Sequence, residues 1–179
     1  MTKKPVVYAF IDSQNLNMGV RSEGWKLDYR KLRQYLRNKY DVSIAYIFIG
    51  FIEGNSLLYA RLQKAGFILI FKPTMQLPDG TVKGNVDAEL VLHAMIEYPK
   101  YDQAIIVSGD GDFYCLVEHL EKNGKLLKVM APNKHFSGHL RKYFSYIIRV
   151  DRLRNSLELI KPTNNKTNKK TRTGGRSKP

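Results

Sequence analysis

Cysteine is nearly absent from this chain: among 179 residues only Cys115 carries a thiol. That excludes an intrachain disulfide and a thiolate zinc cluster, and it fits a reducing, cytoplasmic setting. Cys115 lies among Phe113, Leu116 and Val117, so a small core residue is its expected role. Long hydrophobic runs are missing too. No segment approaches the ~20 apolar residues of a membrane span. Met1-Thr2-Lys3-Lys4-Pro5 leads straight into a short apolar strand and not into a signal-peptide core. A Gly-x-x-x-x-Gly-Lys-Ser/Thr loop is lacking, which removes support for ATP hydrolysis, and there is no internal repeat.

Acid is scarce as well. The chain has 16 Asp and Glu against 30 Lys and Arg, a formal net charge of +14. Such an excess says nothing about fold but favours nucleic acid or an anionic surface as partner. From residue 161 onward the scarcity is complete. Residues 161–179 hold seven Lys and Arg, no acid, no aromatic and no large aliphatic residue. They read as a disordered basic tail that tethers RNA without sequence preference. Residues 1–160 read as one folded domain, since 43% hydrophobic composition gives ample material for a core.

Short β-rich runs alternate with amphipathic stretches in that domain. Strands are expected at Val6–Ile11, Ser43–Phe51, Phe67–Phe71, Ala104–Val107, Leu126–Met130 and Tyr146–Val150. Helices are expected at 28–38, 55–65, 86–98, 113–123, 135–144 and near 152–159. The first and fourth strands are apolar without alternation, as central parallel strands are. The pattern predicts an α/β sandwich with a mainly parallel sheet. Lys72 to Asn85 breaks the rhythm with Pro73, Pro78, Asp79-Gly80 and Gly84, and reads as a long loop with a hairpin turn at Asp79-Gly80.

Asp12, Asp87, Asp110 and Asp112 each fall where a strand ends or a helix begins. In an open parallel sheet those positions meet beyond the carboxyl ends of the strands. Asp87 shares a helix face with Leu90, Val91 and Ala94 and so points inward, whereas Glu89 faces elsewhere. Singly, each aspartate is equally an N-cap or turn residue. Together they imply more. Carboxylates ~4 Å apart repel by roughly 4 kcal/mol at an effective dielectric of 20, so convergence requires a cation or a raised pKa. Oxygen-only ligands favour Mg²⁺ or Mn²⁺ over zinc.

Three local motifs carry these acids: Phe-Ile-Asp-Ser-Gln-Asn-Leu at 10–16, Lys83-Gly84-Asn85-Val86-Asp87, and Ser-Gly-Asp-Gly-Asp-Phe at 108–113. In that order and spacing the sequence resembles the NYN-domain family, a LabA-like branch of the PIN-like nucleases, over about residues 5–151. The resemblance implies a PIN-like three-layer α/β/α sandwich and metal-dependent, endonucleolytic cleavage of RNA that leaves 5′-phosphate and 3′-hydroxyl ends. It places Asp12, Asp87, Asp110 and Asp112 in the acidic metal and catalytic site, with Asp12 and Asp110 as the leading direct ligands. Asn15 and Ser108 match polar residues that help arrange that site. Where some relatives carry another acid on the middle helix, this chain has His93.

Single-stranded RNA is the expected partner, and homo-oligomer formation stays open. Lys72 and Lys83 border the long loop and are candidates to hold a phosphate, with a solvated lysine as the equal alternative. Arg30, Lys31, Arg33, Arg37 and Lys39 share one helical segment and form a candidate RNA-contacting face. His135 and His139 have a zinc-like spacing but lack the intervening glutamate and a third ligand, so coincidence is preferred. A non-catalytic RNA-binding module is the main rival reading. A phosphatase for small nucleotides is the other, and it leaves the tail and the basic helix without a purpose.

Overall fold

Val7, Ala9 and Ile11 on one side and Tyr8 and Phe10 on the other are all buried. A strand apolar on both faces needs cover on both, and the alternation that follows along the chain supplies it. The order is β1 (Val7–Asp12), α1 (Ser13–Ser22), α2 (Tyr29–Tyr40), β2 (Val42–Phe51), α3 (Ser56–Lys64), β3 (Ile68–Pro73), β4 (Met75–Gln76), β5 (Val82–Lys83), α4 (Asp87–Ile96), β6 (Gln103–Val107), α5 (Tyr114–Lys122), β7 (Leu126–Ala131), β8 (Ile147–Arg149) and α6 (Arg154–Leu157). The structure is a computed structural model that describes residues 4–73, 75–76, 82–83 and 86–160. The expected basic tail, and the turn expected at Asp79-Gly80, lie outside the described residues.

Six strands form one sheet in the order β3-β2-β1-β6-β7-β8. Every pairing in it is parallel. Leu16, Val20, Leu32, Leu36 and Leu62 of α1, α2 and α3 pack with Val7, Ala9 and Ile11 in one core. Leu90, Ala94, Leu116, Val117 and Leu120 of α4 and α5 pack with Tyr8 and Phe10 in a second. The result is the expected three-layer α/β/α sandwich. Strands β4 and β5 pair antiparallel as a separate ribbon within the segment read as a loop. Among the described residues no helix is long and apolar enough to cross a membrane.

Three local expectations are corrected. Helix α1 was not among those expected, because Ser, Asn and Gly are weak helix formers and only Leu16, Val20 and Ser13 of it are buried. Its Gly19 is there for space: a Cβ at that position would lie 2.4 Å from Pro132 Cβ, so α1 and the loop after β7 meet at backbone distance. The helix expected at 135–144 is a 3-10 stretch, Gly138–Tyr146. Asn133 holds the residues before it in a loop, bonding Gly19 O, Ser22 Oγ and the His135 amide. Cys115 is exposed and not a core residue. The buried stripe of α5 runs through Leu116, Val117 and Leu120, and position 115 falls off it.

Arg33 fastens α2 to the sheet. Its Nε donates to Gly66 O at 3.0 Å, Nη1 to Val42 O at 3.1 Å and Nη2 to Ser43 O at 3.0 Å. A lysine keeps the charge but cannot fork across three carbonyls. Arg33→Lys is therefore expected to lower the unfolding free energy in urea by about 1–2 kcal/mol. An unchanged midpoint would mean that the fork contributes nothing to the fold.

Candidate metal centre

Strand order reverses between β1 and β6, because the chain winds from β1 to β2 on one side and later returns to β6 on the other. Ligand crevices in open parallel sheets form at such a point, beyond the carboxyl ends. Asp12 closes β1 and Ser108 follows β6, and the Ile11–Val107 register brings those ends side by side. Both side chains are buried, at 4% and 1% exposure.

One hydrogen-bond network links the residues found there. Asp12 Oδ1 accepts the amides of Gln14 and Asn15, each at 3.1 Å, and so caps α1. Ser108 Oγ donates to Asp12 Oδ2 at 3.3 Å and accepts the Asp110 amide at 3.1 Å. Asn15 Oδ1 accepts the Gly109 amide at 2.9 Å, which ties α1 to the turn after β6. Asp110 Oδ1 accepts the Asp112 amide at 3.1 Å and starts the 3-10 turn Gly111–Phe113. Asn15 and Ser108 are thus positioning groups between the acids.

The acids themselves divide into two kinds. One oxygen each from Asp87, Asp110 and Asp112 lies within 4.8 Å of the others. Asp87 and Asp110 are half-buried and Asp112 is exposed. Asp12 is not part of that group. It sits behind, and burial pushes its carboxyl up from the ordinary value, with the amides of Asn15 and Gln14 and the Ser108 hydroxyl opposing and the Asp87 charge adding to the rise. Helix α4 presents Asp87 as its spacing predicts, with Leu90 and Ala94 buried below it. A group of three carboxylates this compact could hold a metal ion. Without one, neighbouring charges at this spacing cost about 1 kcal/mol per pair in water and more at lower dielectric.

The expected RNA-contacting residues are dispersed. Lys72 Nζ pairs with Glu89 at 3.1 Å, beside Asp87 on the first turn of α4. The side chain of Lys83 lies outside the described residues. Arg30 and Arg37 are exposed on α2, whereas Arg33 is committed to the carbonyls named above. His93 is packed, its ring 5.6 Å from Phe48 and 6.4 Å from Tyr46.

The sequence pattern gave little sign of the other wall of the site. A cavity of about 480 Å³ is lined by Asn15, Asp110, Asp112, His135, Ser137 and His139. The two histidines flank the acids from the loop after β7 and the start of the 3-10 stretch. The signal for this wall was the pair of glycines around Asp110. A Cβ at Gly111 would lie 2.4 Å from Ser137 Oγ, and one at Gly109 3.2 Å from Phe136 Cβ and Pro132 Cδ. Both must be small because that loop presses on them.

Comparison with known proteins agrees with this geometry. The model of the family described as NYN domain matches residues 6–151. The Low amplitude and bright protein LabA of Synechococcus elongatus is 24% identical over 159 residues, covering 83% of this chain and 86% of its own. A crystal structure of a protein of unknown function from Vibrio parahaemolyticus superposes with a TM-score of 0.75 at 25% identity, covering 89% of this chain and all of its own.

The raised pKa of Asp12 has a definite sign. Its contribution to stability is full below the unfolded value of 3.8 and is lost as pH rises through the higher folded value. At neutral pH the ionised carboxylate therefore destabilises the protein. Asp12→Asn keeps an acceptor for the α1 amides. It is expected to raise Tm in chelator at pH 7, with the gain gone below about pH 4. A lower Tm at pH 7 would show that the negative charge itself holds α1 in place.

Proposed function

Because the chain belongs to the NYN domain family, we propose that it is a ribonuclease that hydrolyses phosphodiester bonds within single-stranded RNA with a divalent metal ion. The observation that carries this reading is the convergence of Asp87, Asp110 and Asp112 within 4.8 Å on a protein of net charge +14. Such a protein attracts polyanions overall, whereas this point is locally acidic. A cation there reconciles the acids with a phosphate.

Asp87, Asp110 and Asp112 would hold Mg²⁺ or Mn²⁺. The ion supplies Lewis-acid chemistry, drawing charge from the phosphate and making water a better nucleophile. The chain supplies the rest. Ser108 fixes the backbone of Asp110 through its amide and braces it against Asp12. Asn15 holds the Gly109 amide, so the turn that carries two of the three acids is tied to α1. The amide bonds that Asp12 and Asp110 accept set the directions of their carboxylates before any ion arrives, which lowers the reorganisation needed at the moment of reaction. Lys72, held by Glu89, places a positive charge near the N-terminus of α4. No histidine is required as a general base. A cytoplasmic setting belongs to this reading.

One observation favours a non-catalytic RNA-binding module as the second reading. His93, which stands where some relatives carry a further acid, is packed against Phe48 and bonded to Glu89 O, so position 93 adds no carboxylate to the acids.

Labelled single-stranded RNA incubated with Mg²⁺ or Mn²⁺ decides between them. Wild type is expected to cleave it, and Asp110→Asn and Asp87→Asn to lose about 10²-fold or more, as removal of a transition-state electrostatic group does. RNA binding without cleavage in either metal supports the binding module. Cleavage that survives both substitutions refutes the acid site.

A further inference from the structure

A groove of about 900 Å³ lies beside the acids, between α1, the segment entering α2, the end of β2 and α3. Arg21, Lys26, Arg30, Arg61 and Lys64 line it. All five are exposed, and none of them is in an ion pair among the described residues. Some cations elsewhere find acids: Lys122 and Lys142 share Glu118, and Arg154 pairs with Glu158. The one acid in the groove lining, Asp28, is turned to the amides of Arg30 and Lys31 as the cap of α2. Five like charges held around one depression repel one another, and a polyanion relieves that repulsion.

The floor has a different character. Ile52 and Leu58 contribute apolar surface, at 44% and 39% exposure. A cationic rim over an apolar floor suits a single strand, which offers phosphates and unpaired base faces together. A duplex offers phosphates alone to such a surface.

Position links the groove to the acids. Ser13 and Val86 line it, and they are the chain neighbours of Asp12 and Asp87. At its other rim is Leu159, whose amide bonds Lys26 O at 2.8 Å.

Building on the ribonuclease reading, we propose that single-stranded RNA runs along this groove to the acids, its phosphates on Arg21, Lys26, Arg30, Arg61 and Lys64. Arg21, Lys26, Arg61 and Lys64 are then substrate-binding residues that act on affinity and not on the chemical step.

Fluorescence anisotropy with a labelled oligouridine in chelator reads binding without cleavage. The variants are Arg61→Glu/Lys64→Glu and Arg21→Glu, against the control Lys100→Glu/Lys122→Glu, which is charge-matched to the double variant. Circular dichroism verifies folding, and the milder Arg61→Ala/Lys64→Ala replaces any variant that fails it. The groove variants are expected to weaken binding tenfold or more and to flatten the log–log salt slope by about 0.7 for each phosphate that is no longer neutralised. The control is expected to change affinity less than twofold, and a duplex of the same length to be less sensitive to the groove than the single strand. In cleavage assays the groove variants raise KM and leave kcat unchanged. Groove variants that bind and cleave like the control overturn the track while leaving the nuclease intact. Groove-dependent binding by a wild-type protein that cleaves nothing overturns the nuclease and leaves the track.

Discussion

The hydrogen bond from Ser108 Oγ to Asp12 Oδ2 crosses the seam between the two central strands and joins residues 96 positions apart. Around it the sheet reverses its winding, α1 begins, and the turn that bears Asp110 and Asp112 is set. A buried carboxylate is unfavourable unless hydrogen bonds surround it. Two amides of α1 and the Ser108 hydroxyl offset part of that cost at Asp12 and tie it to α1 and to the end of β6. The same burial that lifts its pKa makes Asp12 a structural anchor behind the acids, whereas the half-buried Asp87 and Asp110 and the exposed Asp112 are open to a ligand.

Charge is distributed with similar economy. Of the acids that converge, Asp110 and Asp112 line one cavity, and Glu118, Glu158 and Asp151 pair with neighbouring cations. What remains is an acidic point flanked by a basic groove on one side and by His135 and His139 on the other.

Much of this was legible in the sequence, and the reasons are local. The unbroken apolar runs at β1 and β6 identified central parallel strands, and the i, i+3, i+4, i+7 spacing from Asp87 gave its inward direction before any coordinates. Asp12 was legible as a site residue, yet its split role was not, because burial depends on how α1 packs and α1 itself is hidden by Asn, Ser and Gly. The core expectation for Cys115 failed by a single position: apolar neighbours in sequence are not neighbours on a helix. Arg33 could not be told from Arg30 or Arg37 by composition, since only tertiary contact shows which guanidinium faces carbonyls. The groove was invisible for the same reason. Its cations come from α1, the loop after it, the start of α2 and α3, and no sequence window contains them together.

Leu159, bonded to the carbonyl of Lys26, completes a wall with almost the last residue of the described fold. The elements that build the site therefore emerge from the ribosome in a fixed order. Asp12 is made first and has no partner on β6 until the chain has grown past Ser108, Asp110 and Asp112. Parallel pairing over such a separation closes slowly. The groove is finished later still, when Glu158 and Leu159 reach back to Lys26 and Leu27. A growing chain thus carries the cations of α1, α2 and α3 before its acidic centre can assemble.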